Sequence, residues 1–192
     1  MKIAECRDAL GTVLSQTRVA ADTSTSLGHE GFAVLEMAQA YRDDGTTFYA
    51  SGDLINALAA FWYGAGWLHF GIASGLLACD SRISFCPFAG SSETLSLPFA
   101  EKLEEKTARY ERLLNTARSS VECSGEPATI GNDFAGKVLF IAALYAAQGA
   151  AYRKTGAREA ALACFSYGHG WLDAGVTCGY FRILAHRDIF TV

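Results

Sequence analysis

Apolar side chains recur at helical spacing in six stretches of the chain, separated by polar breaks. Ile3, Cys6, Leu10 and Val13 step by three and four residues, so residues 2–19 read as a helix with one apolar stripe. Asp22 to Gly28 is a polar break. A second helix is expected from Phe32 to Ser51, with Leu35, Ala38, Tyr41, Phe48 and Tyr49 turned inward. Gly52 can take the left-handed conformation that ends it, and Asp53 can cap a third helix at once, from Leu54 to Leu77. After an irregular connector containing Pro87 and Gly90, Pro98 can open a fourth helix that runs to Ser120. Leu103, Tyr110, Leu113, Leu114 and Ala117 lie on one side of it, and charges that include Glu105 and Arg109 form a solvated face. A fifth helix is expected over Phe134–Thr155 and a sixth over Arg158–Ala185, with Arg182, His186 and Arg187 favourably placed at its negative end. The apolar tail Ile189, Phe190 and Val192 should lie back on the body.

The third and sixth stretches are near-copies, 104 residues apart from Ala57 to Ala161, with no gap between them. Gly52, Ala57, Leu58, Ala59, Phe61, Tyr63, Gly64, Gly66, Trp67, Leu68, Gly71 and Gly75 all recur at that offset. The second and fifth repeat at the same distance, as in Val34/Val138, Leu35/Leu139, Ala38/Ala142, Tyr41/Tyr145 and Gly45/Gly149. Such a period is too long for a solenoid and suits a domain duplication. The pattern therefore predicts an all-α fold, six helices as two tandem three-helix up-and-down bundles. Residues 1–80 form one repeat, 81–97 a connector and 98–192 the other. Because the best-matched helix is apolar on more than one face, the two units should pack through their third helices.

Glycine costs about 1 kcal/mol against alanine inside a helix. Gly64, Gly71 and Gly75, with Gly168, Gly175 and Gly179 in the other copy, are therefore expected to serve close helix packing, Gly71–Gly75 and Gly175–Gly179 forming the contact strips. Trp67 and Trp171 read as core residues whose indole N–H finds a carbonyl, with stacking on a ligand as the alternative. The third stretch contains no Asp, Glu, Lys or Arg, which makes it a membrane-span candidate by length and hydropathy. Its twin carries His169 and Asp173 in mid-helix and its flanks have no Lys/Arg asymmetry, so membrane insertion is opposed.

With 51% hydrophobic and 19% charged residues the chain is globular rather than disordered. A net charge of -4 with no basic cluster argues against a nucleic-acid partner. Met1 to Leu10 mixes charge with apolar residues, unlike a secretory leader. Cys6, Cys79, Cys86, Cys123, Cys164 and Cys178 form no Cys-x-x-Cys pair and read as reduced, mostly buried thiols of a cytoplasmic protein. His169 and Asp173 are four apart on one face and read as a His–Asp hydrogen bond within the core or interface, with a histidine oriented for acid–base work or a shared metal as alternatives. Their twins are Ala65 and His69, so the pair does not belong to the repeat, and no metal or cofactor is expected.

Over Tyr49–Leu77 and Tyr152–Phe181 the chain resembles a family of short archaeal proteins of unknown function, DUF357, whose last helix carries a Gly-Trp-Leu-Asp-Ala-Gly core. Gly170 to Gly175 match that core, and the first copy departs from it at His69 and Phe70. The resemblance implies a three-helix bundle and no assigned activity. Gly45, Phe48, Gly52, Ala57, Phe61 and Gly64 also fall at the spacings of a tetratricopeptide helix pair, without its 34-residue period. The function expected is a non-enzymatic interaction or scaffold module, with a protein partner or self-association. The alternative is a ligand-binding protein or enzyme whose pocket, between the repeats, is lined by Trp67, His69, Trp171, His169 and Asp173.

Overall fold

The computed structural model describes residues 1–80, 95 and 97–191. Cys86, Pro87 and Gly90, most of the 81–97 connector, and Val192 lie outside the described residues. Helix α1 (Ile3–Ser15) stops short of the expected end, and Thr17–Val19 is a short strand, β1. Helix α2 (Ser26–Ala50) begins earlier than Phe32, because the Thr25 hydroxyl accepts from the Gly28 N–H at 3.0 Å and caps it inside the polar stretch. Gly52 at φ +82° ends α2, and the Asp53 N–H closes the turn on the Phe48 carbonyl at 2.9 Å. Asp53 then caps α3 (Leu54–Ala73), and Leu77–Cys79 forms β2.

The second half repeats this order 104 residues later. A 3-10 turn (Leu97–Phe99) leads into α4 (Ala100–Ser119), followed by β3 (Val121–Cys123), α5 (Ile130–Lys154), α6 (Arg158–Thr177) and β4 (Phe181–Ile183). Strands β1 and β2 pair antiparallel with Arg18 opposite Ala78, and β3 and β4 with Glu122 opposite Arg182. Each ribbon ties the end of a unit's first helix to the end of its third. Extended Thr, Val, Ile and Phe favour such ribbons, but three residues are too few to show a two-residue period.

Three expectations change here. Helix α6 ends at Thr177 because Gly179 turns to φ +75° and the Tyr180 N–H closes on the Gly175 carbonyl at 3.0 Å. Arg182, His186 and Arg187 therefore sit in or beyond β4 and do not cap α6. Phe48, expected inward, is exposed at the end of α2. Among the described residues the helix long and apolar enough to cross a membrane is α5, with 33% of that stretch buried, whereas α3 is enclosed by protein. Trp, Tyr, Asn56 and His69 lower the hydropathy of α3, while Phe140, Ile141 and Leu144 raise that of α5.

The six helices of the described residues form an all-α fold of two three-helix units. Helices α3 and α6 lie at its centre and pack against each other; α2 and α1 flank α3, and α5 and α4 flank α6. One hydrophobic core runs through both units, from Ile3, Leu10, Phe61 and Trp67 to Leu114, Phe165 and Leu172. Phe190 is buried against it, as expected of the tail.

Candidate functional site at the seam of the two units

The α3–α6 seam is built around two glycines. A Cβ on Gly66 would come 2.5 Å from the Tyr167 carbonyl oxygen and 3.1 Å from the Gly170 Cα. One on Gly170 would collide with the Tyr63 carbonyl oxygen. Only a residue without a side chain permits this approach. Gly66 and Gly170 are counterparts in the repeat, so each helix presents to the other the surface it receives, as in an isologous dimer. The contact strip thus differs from the expected one. Gly64 faces the Tyr41 Cβ and Ala38 carbonyl of α2, Gly168 faces Leu114 and Tyr145, Gly71 faces Leu77 and Val34, and Gly175 faces Phe181 and Val138. Gly75 and Gly179, at φ +78° and +75° with nothing within 4 Å of an added Cβ, end helices rather than pack them.

Polar contacts follow the same two-fold arrangement on either side of the glycines. Tyr63 donates its hydroxyl to the Asp173 carboxylate. In the related place the Tyr167 hydroxyl and His69 Nδ1 share a hydrogen bond of 2.7 Å. The pairs Tyr63–Asp173, Gly66–Gly170 and Tyr167–His69 run in opposite order along the two helices, which therefore cross antiparallel. One copy uses a carboxylate and the other an imidazole against the same tyrosine. Asp173 also accepts from the Thr191 N–H at 2.9 Å and from its hydroxyl, which fastens the end of the described chain to α6.

All five candidate residues are buried here, Trp67, His69, Trp171, His169 and Asp173 alike. Rings fill the space around them. The Tyr63 and His169 rings meet edge to face at 5.4 Å, those of Phe70 and Trp171 at 5.9 Å, and those of Trp62 and Tyr167 at 6.3 Å. The depressions in the surface that α1 and α2, the α2–α3–α4 junction, the β3 turn and the start of α5 line are lined by none of the five. The indole N–H groups of Trp67 and Trp171, expected on carbonyls, have no hydrogen-bond partner among the described residues.

Burial sets the protonation of the seam. It pushes His69 down to about 4 and lowers His169 as well, against the opposing pull of Asp173 and the Ile189 backbone. His69 is therefore neutral at pH 7. Burial first and Asp173 second raise Tyr63 well above the usual phenol range, so it donates and cannot serve as a base. Cys6, Cys79, Cys123, Cys164 and Cys178 are free thiols. Burial raises Cys6 strongly and Cys178 up to about 12, leaving neither as a thiolate nucleophile. Through these glycines, rings and hydrogen bonds the seam joins the two units.

Comparison with known proteins agrees with the internal repeat. The model of one family, described as a protein of unknown function (DUF357), matches the chain twice, over residues 8–77 and 109–181. The chain belongs to the DUF357 family. No curated protein and no solved structure matches it. Each DUF357 match spans from the first helix of a unit to its closing ribbon, so the seam lies between two DUF357 units of one chain. The residues that organise this seam, Gly66, Gly170, Tyr63 and Tyr167, are each legible as repeats, but their pairing is not. A signal for it exists: Asp173 and His69 are counterparts, and both are polar on a face otherwise apolar.

Proposed function

We propose that this chain is a non-enzymatic, soluble and cytoplasmic helical module that acts through protein contact, and that the contact is self-association through the outer face of α5. The observation that carries the reading is the surface of α5 compared with that of its twin. Ile130, Phe140 and Leu144 are 90%, 66% and 39% exposed. The positions of α2 equivalent to Phe140, Ala143, Ala147 and Gln148 hold Glu36, Gln39, Asp43 and Asp44. Over their middle turns two helices with the same buried face thus differ in how they meet solvent, although nearer its start α2 also exposes Leu27 and Phe32, 59% and 55%.

A second copy of the chain fits this face. Its exposed line, Asp133, Gly136, Phe140, Leu144, Ala147, Ala151 and Lys154, is arranged almost symmetrically about Ala143 and Leu144. Antiparallel pairing of two α5 helices brings Asp133 opposite Lys154, Gly136 opposite Ala151 and Phe140 opposite Ala147. Unlike charges then meet at both ends, large meets small in the middle, and the helix dipoles oppose. Sedimentation equilibrium of the full chain tests the reading, with a dimer of dissociation constant about 10 μM or tighter expected, about 7 kcal/mol of association free energy. A chain that stays monomeric at about ten times that concentration contradicts it.

A further inference from the structure

A depression of about 260 Å³ opens where α4 of the second unit meets α2 and α3 of the first. Tyr41 and Asp44 of α2, Asn56 and Tyr63 of α3, and Lys106 and Tyr110 of α4 line it. Its walls are held in place. The Tyr41 and Tyr63 rings lie 4.5 Å apart at a tilt, and Asp173 fixes the Tyr63 hydroxyl from behind. At one edge Lys102 joins α4 to the start of α3 through two hydrogen bonds to Asp53, at 2.8 and 2.9 Å. Those two charges neutralise each other.

Lys106 is different. Among the described residues no carboxylate stands within ion-pair distance of it, and its ammonium rests 5.5 Å from the centre of the Tyr110 ring. Burial first and Arg109 second lower its pKa, with Asp53 and Glu105 pulling the other way and Lys102 adding to the lowering. The counterpart positions in the other copy make the contrast. Tyr145, Tyr167 and Lys2 repeat Tyr41, Tyr63 and Lys106, but Ala160 and Cys6 replace Asn56 and Tyr110 and are closed off, 3% and 1% exposed. An open, polar, aromatic lining belongs to one copy alone.

The depression combines aromatic walls with one cation, Lys106, and one carboxylate, Asp44, neither of them in an ion pair among the described residues, the mix of apolar surface and a few polar groups that small-molecule sites show. Flat rings stack on or against tyrosines, and a lysine ammonium receives a carboxylate as a point charge. We propose that this depression binds a small aromatic carboxylate, its ring among Tyr41, Tyr63 and Tyr110 and its carboxylate on Lys106. Asp44 and Asn56 offer acceptors to a hydroxyl or amine carried on the ring. The site does not depend on self-association, which uses α5.

Isothermal titration of the full chain with 4-hydroxybenzoate, benzylamine and inorganic phosphate tests the proposal. Saturable binding of 4-hydroxybenzoate below about 1 mM is expected, with benzylamine and phosphate at least about tenfold weaker. Lys106→Met should weaken 4-hydroxybenzoate about tenfold while Lys106→Arg keeps it within about threefold, both with unchanged far-UV circular dichroism. Absence of saturation at about 10 mM, equal binding of benzylamine, full competition by phosphate, or an unaltered Lys106→Met affinity would each overturn it. Should Lys106→Met fail to fold, 4-hydroxybenzyl alcohol on the native chain replaces it, and equal affinity for alcohol and acid refutes the role of Lys106.

Discussion

Helices α2 and α5 occupy equivalent places in the two units. Each begins after a capping threonine, ends before a left-handed glycine, and buries the same set, Val34, Ala38 and Gly45 in one and Val138, Ala142 and Gly149 in the other. Their solvent faces differ in mid-helix, where Phe140 and Leu144 of α5 stand in the places of Glu36 and Ala40, although α2 exposes Leu27, Phe32 and Phe48 elsewhere. Close packing holds the inward residues to size and shape, since adding or removing one methylene in a core is felt. Nothing of that kind holds the outer face, so it can diverge at no cost to the fold. The polar pairs at the seam show the same lesson on a smaller scale. Tyr63 and Tyr167 are kept, while their partners are Asp173 in one place and His69 in the other.

The largest effect is expected where the two copies touch. Gly170→Ala or Gly66→Ala drives a Cβ into the main chain of the opposite helix, which cannot give way as a side chain can. A loss of about 3 kcal/mol or more is predicted for each by urea denaturation, at or beyond the upper range for overpacking. Gly64→Ala meets the Tyr41 Cβ at 3.0 Å and the Ala38 carbonyl oxygen at 3.1 Å, which a small shift of α2 relieves, and should lose no more than about 1 kcal/mol. Equal losses at Gly64 and Gly170 would remove the special standing of the crossing.

Next comes the comparison of seam partners. Asp173→Ala strands the buried Tyr63 hydroxyl and releases Thr191, so about 3 kcal/mol should be lost. His69→Leu removes the Tyr167–His69 hydrogen bond and should lose about 1 kcal/mol. If the histidine side proved the costlier to remove, the ranking of the two contacts would be reversed.

Acid should act through His69. Its folded pKa lies near 4, below the ordinary value of 6.5, so the unfolded chain binds the proton first as pH falls. Stability is therefore full above about pH 6.5 and declines toward pH 4, by up to about 3 kcal/mol at the lower end. Denaturation midpoints of the native chain and of His69→Leu between pH 7 and pH 4 check this. The variant should show a flatter profile, and parallel profiles would exclude His69 as the source.

A similarly small structural effect should come from the helix-ending glycines. Gly75→Ala and Gly179→Ala meet no neighbour but force alanine to positive φ, for a loss of about 1 kcal/mol each by the same denaturation. A loss as large as that of Gly170→Ala would return these positions to the packing role their spacing suggested.

Much of the fold can be read in the chain because duplication supplies its own control. Gly52 and Gly156 mark tight turns twice, and Phe61 and Phe165 mark the core twice. The all-α class, the six helices and the central place of the third and sixth follow from apolar periodicity. The ribbons do not show, since Thr17–Val19 and Leu77–Cys79 are too short to display an alternation, and their pairing joins residues distant in sequence. The starts of α2 and α5 escape notice because Thr25 and Thr129 sit in stretches whose polar composition reads as loop. At the seam, spacing identifies a glycine-rich helix but not which glycine meets its twin. Four residues after Gly66 stands Phe70, and four after Gly170 stands Ala174, so no Gly-x-x-x-Gly signal starts at either crossing residue. Lys106 and Tyr110 belong to a different unit from Tyr41 and Tyr63, and only the fold brings them together.

The outer face of α5 carries the account of function, and an exchange of charge tests it most directly. Sedimentation equilibrium is measured for Asp133→Lys, for Lys154→Asp and for the two combined. Each single change places like charges together and should weaken association about three- to tenfold, and the combination should recover most of the native affinity. Losses that simply add in the combined variant, or no change in any of the three, would contradict antiparallel pairing through α5.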